Sequence, residues 1–202
     1  LIVSKKLLYL QMKKLGFNFK LNIVNLKTNN LNTLNNKMIN IIDVDFDFKN
    51  FFEKISNSSN VYIENCFKVA LQLLKDKKCI ALINGPISKK KFLKQKFYGI
   101  TEYLAFKTNN ENKVAMLIYN KKLSVSPITT HLPLKNVHKF LSTKKIFNNF
   151  KLINKFYKKE FNKKAKIAIT GLNPHCESNY KSSEEDRIIK PAIKLLIKKK
   201  IN

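Results

Sequence analysis

Short runs of β-branched and other apolar residues alternate with helix-patterned segments along this chain, and that alternation restricts the fold more than any other feature. "KLNIVN" (20–25), "KMINIIDVDF" (37–46), "CIALIN" (79–84) and "KAKIAIT" (164–170) each read as a strand, and "LIV" (1–3) as the tail of one. Between them, apolar residues recur at helical spacing. Ser4 is placed to cap a helix that ends at Gly16. "VYIENCFKVALQLLKDKK" (61–78) carries Phe67, Ala70, Leu71 and Leu74 on one side, and a longer helix over about 143–162 carries Ile146, Phe150, Ile153 and Phe161. Strands alternating with helices predict an α/β fold.

The connections fill in around this frame. "NLKTNNLNTLNN" (25–36) and "DFKNFFEKISNSSN" (47–60) read as irregular, and short helices are expected at "KKKFLKQ", "TEYLAFK" and "PLKNVHKFL". "KVAMLIYN" and "KLSVSPITT" predict an antiparallel pair turned at Asn120-Lys121. A last helix opens with Glu184, Glu185 and Asp186, acids that complement its dipole. With 202 residues the chain can bury one good core, divided into two lobes with a boundary near residue 97.

No apolar run approaches the roughly 20 residues that a membrane-spanning helix needs, and no secretory signal is legible. A cytoplasmic protein with no membrane partner is expected. The chain starts with Leu and stops in "IKKKIN" directly after a helix pattern, so both ends are expected to be incomplete. Cys66 and Cys79 read as small core residues in a reducing compartment, whereas Cys176 stands beside His175 in a loop.

Forty basic residues against 13 acids give a net charge of +27, which ordinarily suggests a nucleic-acid partner. Only Arg187 is arginine, however, and the lysines are spread along the whole chain. Readers of bases and phosphates favour the bidentate arginine fork. With 26 asparagines and abundant Ile and Phe as well, the excess reflects A/T-rich codons. No nucleic-acid partner is expected.

Four glycines (16, 85, 99 and 171) form neither a GxGxxG nor a GxxxxGK pattern, so a Rossmann fingerprint and a P-loop are both excluded. Two histidines occupy similar places: His131 in "SPITTHLPL" and His175 in "TGLNPHCESN" each follow an apolar run. Such strand ends are where α/β proteins put working residues. Neutral imidazoles there suit a shared divalent cation. Separation by 44 residues leaves that open against two unrelated loop histidines. His138, between Val137 and Lys139, reads as an ordinary surface or partly buried residue. Ser88 and Thr101 are each placed to cap a helix, and each could equally serve an anion at that helix start.

In order along the chain, "NGPISKKKF" resembles a "-PI-K" turn, "GITEYLA" a "GHTE(F/Y)L" motif, "TTHLPLKNV" a "TTH(I/L)PL--V" motif and "GLNPHCESN" a "GLNPHAGE" motif. "EEDRIIKPAI" resembles the segment that follows. Together, over residues 78–202, they resemble the 4-hydroxythreonine-4-phosphate dehydrogenase family of vitamin B6 (pyridoxal phosphate) biosynthesis. The resemblance implies a three-layer α/β/α fold like that of isocitrate and isopropylmalate dehydrogenases, and a homodimer. It implies NAD- or NADP-dependent oxidation of a phosphorylated hydroxy acid, 4-phosphohydroxy-L-threonine, followed by decarboxylation. It also implies that His131 and His175 are two of three histidine ligands to a divalent cation (Zn, Mg or Co), and that Thr101 binds substrate. Three departures stand out. Ile100 replaces the family's His before Thr101, "CESNYKSS" replaces a glycine-rich loop, and the third metal His is expected beyond Asn202. A dehydrogenase of another four-carbon 4-phosphorylated hydroxy acid, and a non-catalytic chain kept as a binding or structural module, are the alternatives.

Overall fold

The computed structural model describes residues 1–26, 34–94, 96–111, 113–175 and 182–199. They form an α/β protein whose residues cluster into two units, Leu1–Gln95 and Lys96–Asn202. No helix among the described residues is long and apolar enough to cross a membrane.

The first unit is built on three parallel strands, β1 (Ile2–Val3), β2 (Leu21–Ile23) and β3 (Ile39–Asp43), in the order β1-β3-β2. Ile2 pairs with Ile42 on one side of β3, and Leu21 with Ile39 on the other. Ile41, central in β3, is wholly buried. Helix α1 (Lys5–Lys14) is capped as its sequence predicts: Ser4 Oγ accepts the Leu7 N–H. At its end Gly16 takes φ +76°, while the Phe17 N–H reaches the Met12 carbonyl at 2.9 Å, closing the helix with a left-handed glycine.

Helix α2 (Asn57–Lys75) begins four residues earlier than its apolar periodicity predicts. Ser56 and Ser59 form a reciprocal capping box, so the end of the presumed loop is helix. Its buried residues are Phe67, Ala70 and Leu73 rather than Leu71 and Leu74, a face turned slightly from the expected one. Asp43 and Tyr62 tie the unit together. Asp43 Oδ1 accepts the Lys5 N–H at 2.8 Å, and the Tyr62 hydroxyl accepts the N–H of buried Ser4 at 2.8 Å.

Several expected strands are not formed. No strand is assigned in 79–84, where Ile80 and Ile83 are fully exposed, and Cys79 is exposed rather than in the core. None is assigned in 164–170 either. An apolar run gives a strand its faces, but a ladder also needs hydrogen bonds to a neighbouring backbone, and neither run forms one among the described residues. The antiparallel pair reduces to one bridge, Ile118 with Val125, joined by two N–H···O bonds of 2.8 and 3.0 Å. The expected turn is present, with Asn120 Oδ1 accepting the Lys122 N–H.

In the second unit, α3 (Ile100–Lys107) precedes a 3₁₀ turn at Leu134–Phe140, and α4 (Thr143–Phe161) follows, capped by Ser142. A π-helical turn (Glu185–Ile189) then runs into α5 (Lys190–Lys198). Ile146 of α4, Ile189 and Ala192 form the core, with Ile128, Ile169, Ile188 and Ile193 packed on it. Phe150 and Ile153 are buried as expected, whereas Phe161 is partly exposed. Asn154 is buried too, and its side-chain oxygen accepts the Ala165 N–H at 3.1 Å, fixing the start of the 164–170 segment.

Burial pushes the Tyr62 hydroxyl up to about 12 from the usual 10. Between those values the unfolded chain loses this proton and the folded chain keeps it, so stability falls as pH rises through the window. Tyr62→Phe leaves the Ser4 N–H without its acceptor and is expected to lower unfolding free energy by about 1–3 kcal/mol, read by urea denaturation. The variant is also expected to lose this part of the alkaline decline. A parent and variant with equal midpoints would show that the bond contributes nothing.

Candidate active site

Two of the sequence motifs meet in the second unit. Helix α3 starts from Gly99, whose backbone is extended, so Gly99 and not Thr101 occupies the cap position. Thr101 lies one residue inside the helix. A side chain on Gly99 would crowd two neighbouring side chains. A Cβ on it would stand 2.7 Å from His131 Cε1 and 2.9 Å from Glu102 Oε2. The "GITE" and "TTH" motifs therefore pack directly against one another.

His131 holds φ at +56°, the left-handed region that a non-glycine residue enters rarely and at a cost of about 1–3 kcal/mol. Beside it, Glu102 Oε1 accepts the Thr130 hydroxyl at 3.0 Å. The other oxygen, Oε2, is buried without a hydrogen-bond partner and lies 3.9 Å from His131 Nδ1, just outside hydrogen-bond reach. The acid of one motif thus faces the imidazole of the other.

Thr101, Glu102 and Thr130 also line a cavity of about 640 Å³, together with Ser142, Lys144 and Lys145 at the start of α4. Glu111 and apolar residues such as Met116 and Ile128 complete its wall, so the lysines there stand among acids and apolar surface.

His175 sits on an exposed turn after Gly171. Its backbone N–H is held by Asn173 Oδ1 at 3.0 Å, a local side-chain turn that shapes the "NPH" corner. Buried Glu185 accepts the Leu172 and Asn173 N–H groups on Oε1 at 2.9 and 2.8 Å. Those bonds, the Asn173 one foremost, hold its carboxyl below the usual glutamate range. By sequence alone Glu185 is a dipole-complementing acid in a first turn. Its position after "GLNPH" was legible, but which backbone it would face was not.

Among the described residues, no group of three or more His, Cys, Asp and Glu side chains is placed to hold a metal. Cys176 lies outside the described residues. Ser88 makes no side-chain cap bond, and the segment after it, Lys89–Leu93, is a single π-helical turn rather than a helix start suited to an anion.

The family model for pyridoxal phosphate biosynthetic protein PdxA matches residues 1–202, the whole chain. This chain belongs to the PdxA family. A 4-hydroxythreonine-4-phosphate dehydrogenase from Sulfurihydrogenibium is 41% identical over 163 residues, 79% of this chain and 49% of that protein. An Oceanobacillus iheyensis protein, provisionally named a D-threonate 4-phosphate dehydrogenase, is 30% identical over 139 residues, 67% of this chain and 42% of its own. A solved structure from Salmonella typhimurium, provisionally named 4-hydroxythreonine-4-phosphate dehydrogenase, superposes with a TM-score of 0.83 at 26% identity, covering 98% of this chain and 62% of that one. The chain spans about half the length of the curated relatives it matches.

Gly99→Ala forces a methyl group into the His131 ring. It is expected to destabilise the second unit by about 1–3 kcal/mol and to shift the His131 imidazole resonances in NMR spectra. Unchanged resonances would mean that the two motifs do not touch.

Proposed function

We propose that the protein oxidises the secondary alcohol of 4-phosphohydroxy-L-threonine, using NAD or NADP, and that the β-keto acid formed then loses CO2. The observation that carries this is the packing of the "GITE" and "TTH" motifs beside one cavity, in a chain that the PdxA family model matches throughout. The three-layer architecture of isocitrate and isopropylmalate dehydrogenases, a homodimer and a cytoplasmic location belong to the same proposal, on the strength of the family resemblance.

In the oxidation, the carbinol C–H bond breaks with its electron pair going to the nicotinamide as hydride, and the hydroxyl proton leaves to a base. The C–C bond to the carboxylate then breaks, and its pair is taken up by the adjacent ketone. His131 and His175 would hold a divalent cation (Zn, Mg or Co), which supplies positive charge beside the oxygen where negative charge develops. Glu102 would orient the His131 ring through Nδ1, and Thr130 would fix that carboxylate. The Thr101 hydroxyl would bind substrate, and Lys144 and Lys145 would face its phosphate.

Ile100 supports a second reading. The family's polar substrate contact is replaced there by an apolar side chain, and a relative named for D-threonate 4-phosphate covers two thirds of this chain. A related four-carbon 4-phosphorylated hydroxy acid is then the substrate.

The test is NAD(P) reduction by the purified protein, offered both substrates and each metal. His131→Ala and His175→Ala are each expected to lower kcat/KM about 100-fold or more, the equivalent of several kcal/mol of transition-state stabilisation. Ile100→His is expected to favour 4-phosphohydroxythreonine over D-threonate 4-phosphate by about tenfold or more. A folded protein inert toward both substrates with every metal would sink the dehydrogenase reading in favour of a binding or structural module.

A further inference from the structure

We propose that Glu185 is a positioning residue for His175: its carboxylate sets the turn that presents the imidazole, and does not merely fill the core. The proposal rests on the reading of His175 as a metal ligand. Glu185 reaches across 12 and 13 residues of sequence to the Asn173 and Leu172 N–H groups, both on Oε1. Asn173 then uses its own side chain to hold the His175 N–H. A continuous series of bonds therefore runs from the carboxylate, through the Asn173 backbone and side chain, to the ligand residue itself.

The carboxylate is anchored at its other end. Glu185 opens the π-helical turn, a rare form that recurs at functional sites. Ser183 Oγ accepts the Asp186 N–H at 3.3 Å and donates to Asp186 Oδ2 at 3.1 Å, and the Arg187 N–H returns to the Ser183 carbonyl at 3.0 Å. Thr143 of α4 donates to the Ile188 carbonyl at 3.0 Å, while Ile189 and Ala192 pack on Ile146. The turn bearing Glu185 is thereby fixed to the core of the unit, and the exposed corner bearing His175 is fixed to Glu185. A charged acceptor makes each of these two N–H bonds roughly twice as strong as a neutral one would.

Cobalt(II) binding, followed by visible absorption, is measured on the parent, His175→Ala, Glu185→Ala and Glu185→Gln, with circular dichroism as a check on folding. Steady-state kinetics are run on the same proteins. Glu185→Ala is expected to weaken cobalt binding by about 10- to 100-fold and to lower kcat more than it raises KM. Glu185→Gln keeps an accepting oxygen and is expected to recover all but a several-fold loss. It should also speed hydrogen exchange at the Leu172 and Asn173 amides. A residue that only fills the core would lower the thermal midpoint and leave the cobalt affinity of the folded protein unchanged. Parent-like cobalt binding in Glu185→Ala, with binding lost in His175→Ala, overturns the proposal alone. If Glu185→Ala does not fold, unchanged cobalt affinity and unchanged amide exchange in Glu185→Gln overturn it instead. Cobalt bound equally by His175→Ala and the parent, or not bound by the parent at all, overturns the His175 reading and this proposal with it.

Discussion

The contact between Gly99 and the His131 ring organises the candidate site. With no side chain on Gly99, the start of α3 can lie against an imidazole whose own backbone is held in the left-handed region. That closeness brings Glu102 to Nδ1 of the ring, gives Thr130 a carboxylate to bond, and leaves Thr101 and Thr130 on the wall of one cavity. A larger residue at 99 would crowd the His131 ring and the Glu102 carboxylate. Geometry at one glycine therefore decides whether three neighbouring polar side chains act as a site or as unrelated surface groups.

The two candidate histidines are held by different physics. His131 carries local backbone strain and has an acid facing its ring, so its own position is constrained directly. His175 is exposed on a turn, and what constrains it is backbone hydrogen bonding from a buried carboxylate two steps removed. Each arrangement uses a glutamate carried near the start of a helical segment, Glu102 in α3 and Glu185 in the π-turn before α5. In a chain with 13 acids and 40 basic residues, these are acids committed to particular polar partners rather than to balancing surface charge.

Local capping was readable where its chemistry lies within a few residues. Ser4 and Gly16 bound α1 as the sequence indicates, and the "LIV", "KLNIVN" and "KMINIIDVDF" runs form the parallel sheet. The Ser56–Ser59 capping box was present in the sequence but hidden inside a polar stretch that resembles a loop. "CIALIN" and "KAKIAIT" have the composition of strands, yet no strand forms at either. Composition states how a strand would distribute its faces, and pairing depends on a backbone arriving from elsewhere.

The sequence by itself determined the family, through "GITEYLA", "TTHLPLKNV" and "GLNPHCESN" in order, and with it the residues worth examining: Thr101, His131 and His175. Those motifs are contiguous, so their chemistry is legible without a fold. Only the tertiary structure decided that Gly99 rather than Thr101 begins α3, that Glu102 faces His131, and that Glu185 braces the turn of His175. Each of these depends on segments distant along the chain being brought within a few ångströms. Side-chain periodicity carries no record of that, because it describes how one segment divides its own faces and not which other segment will meet them.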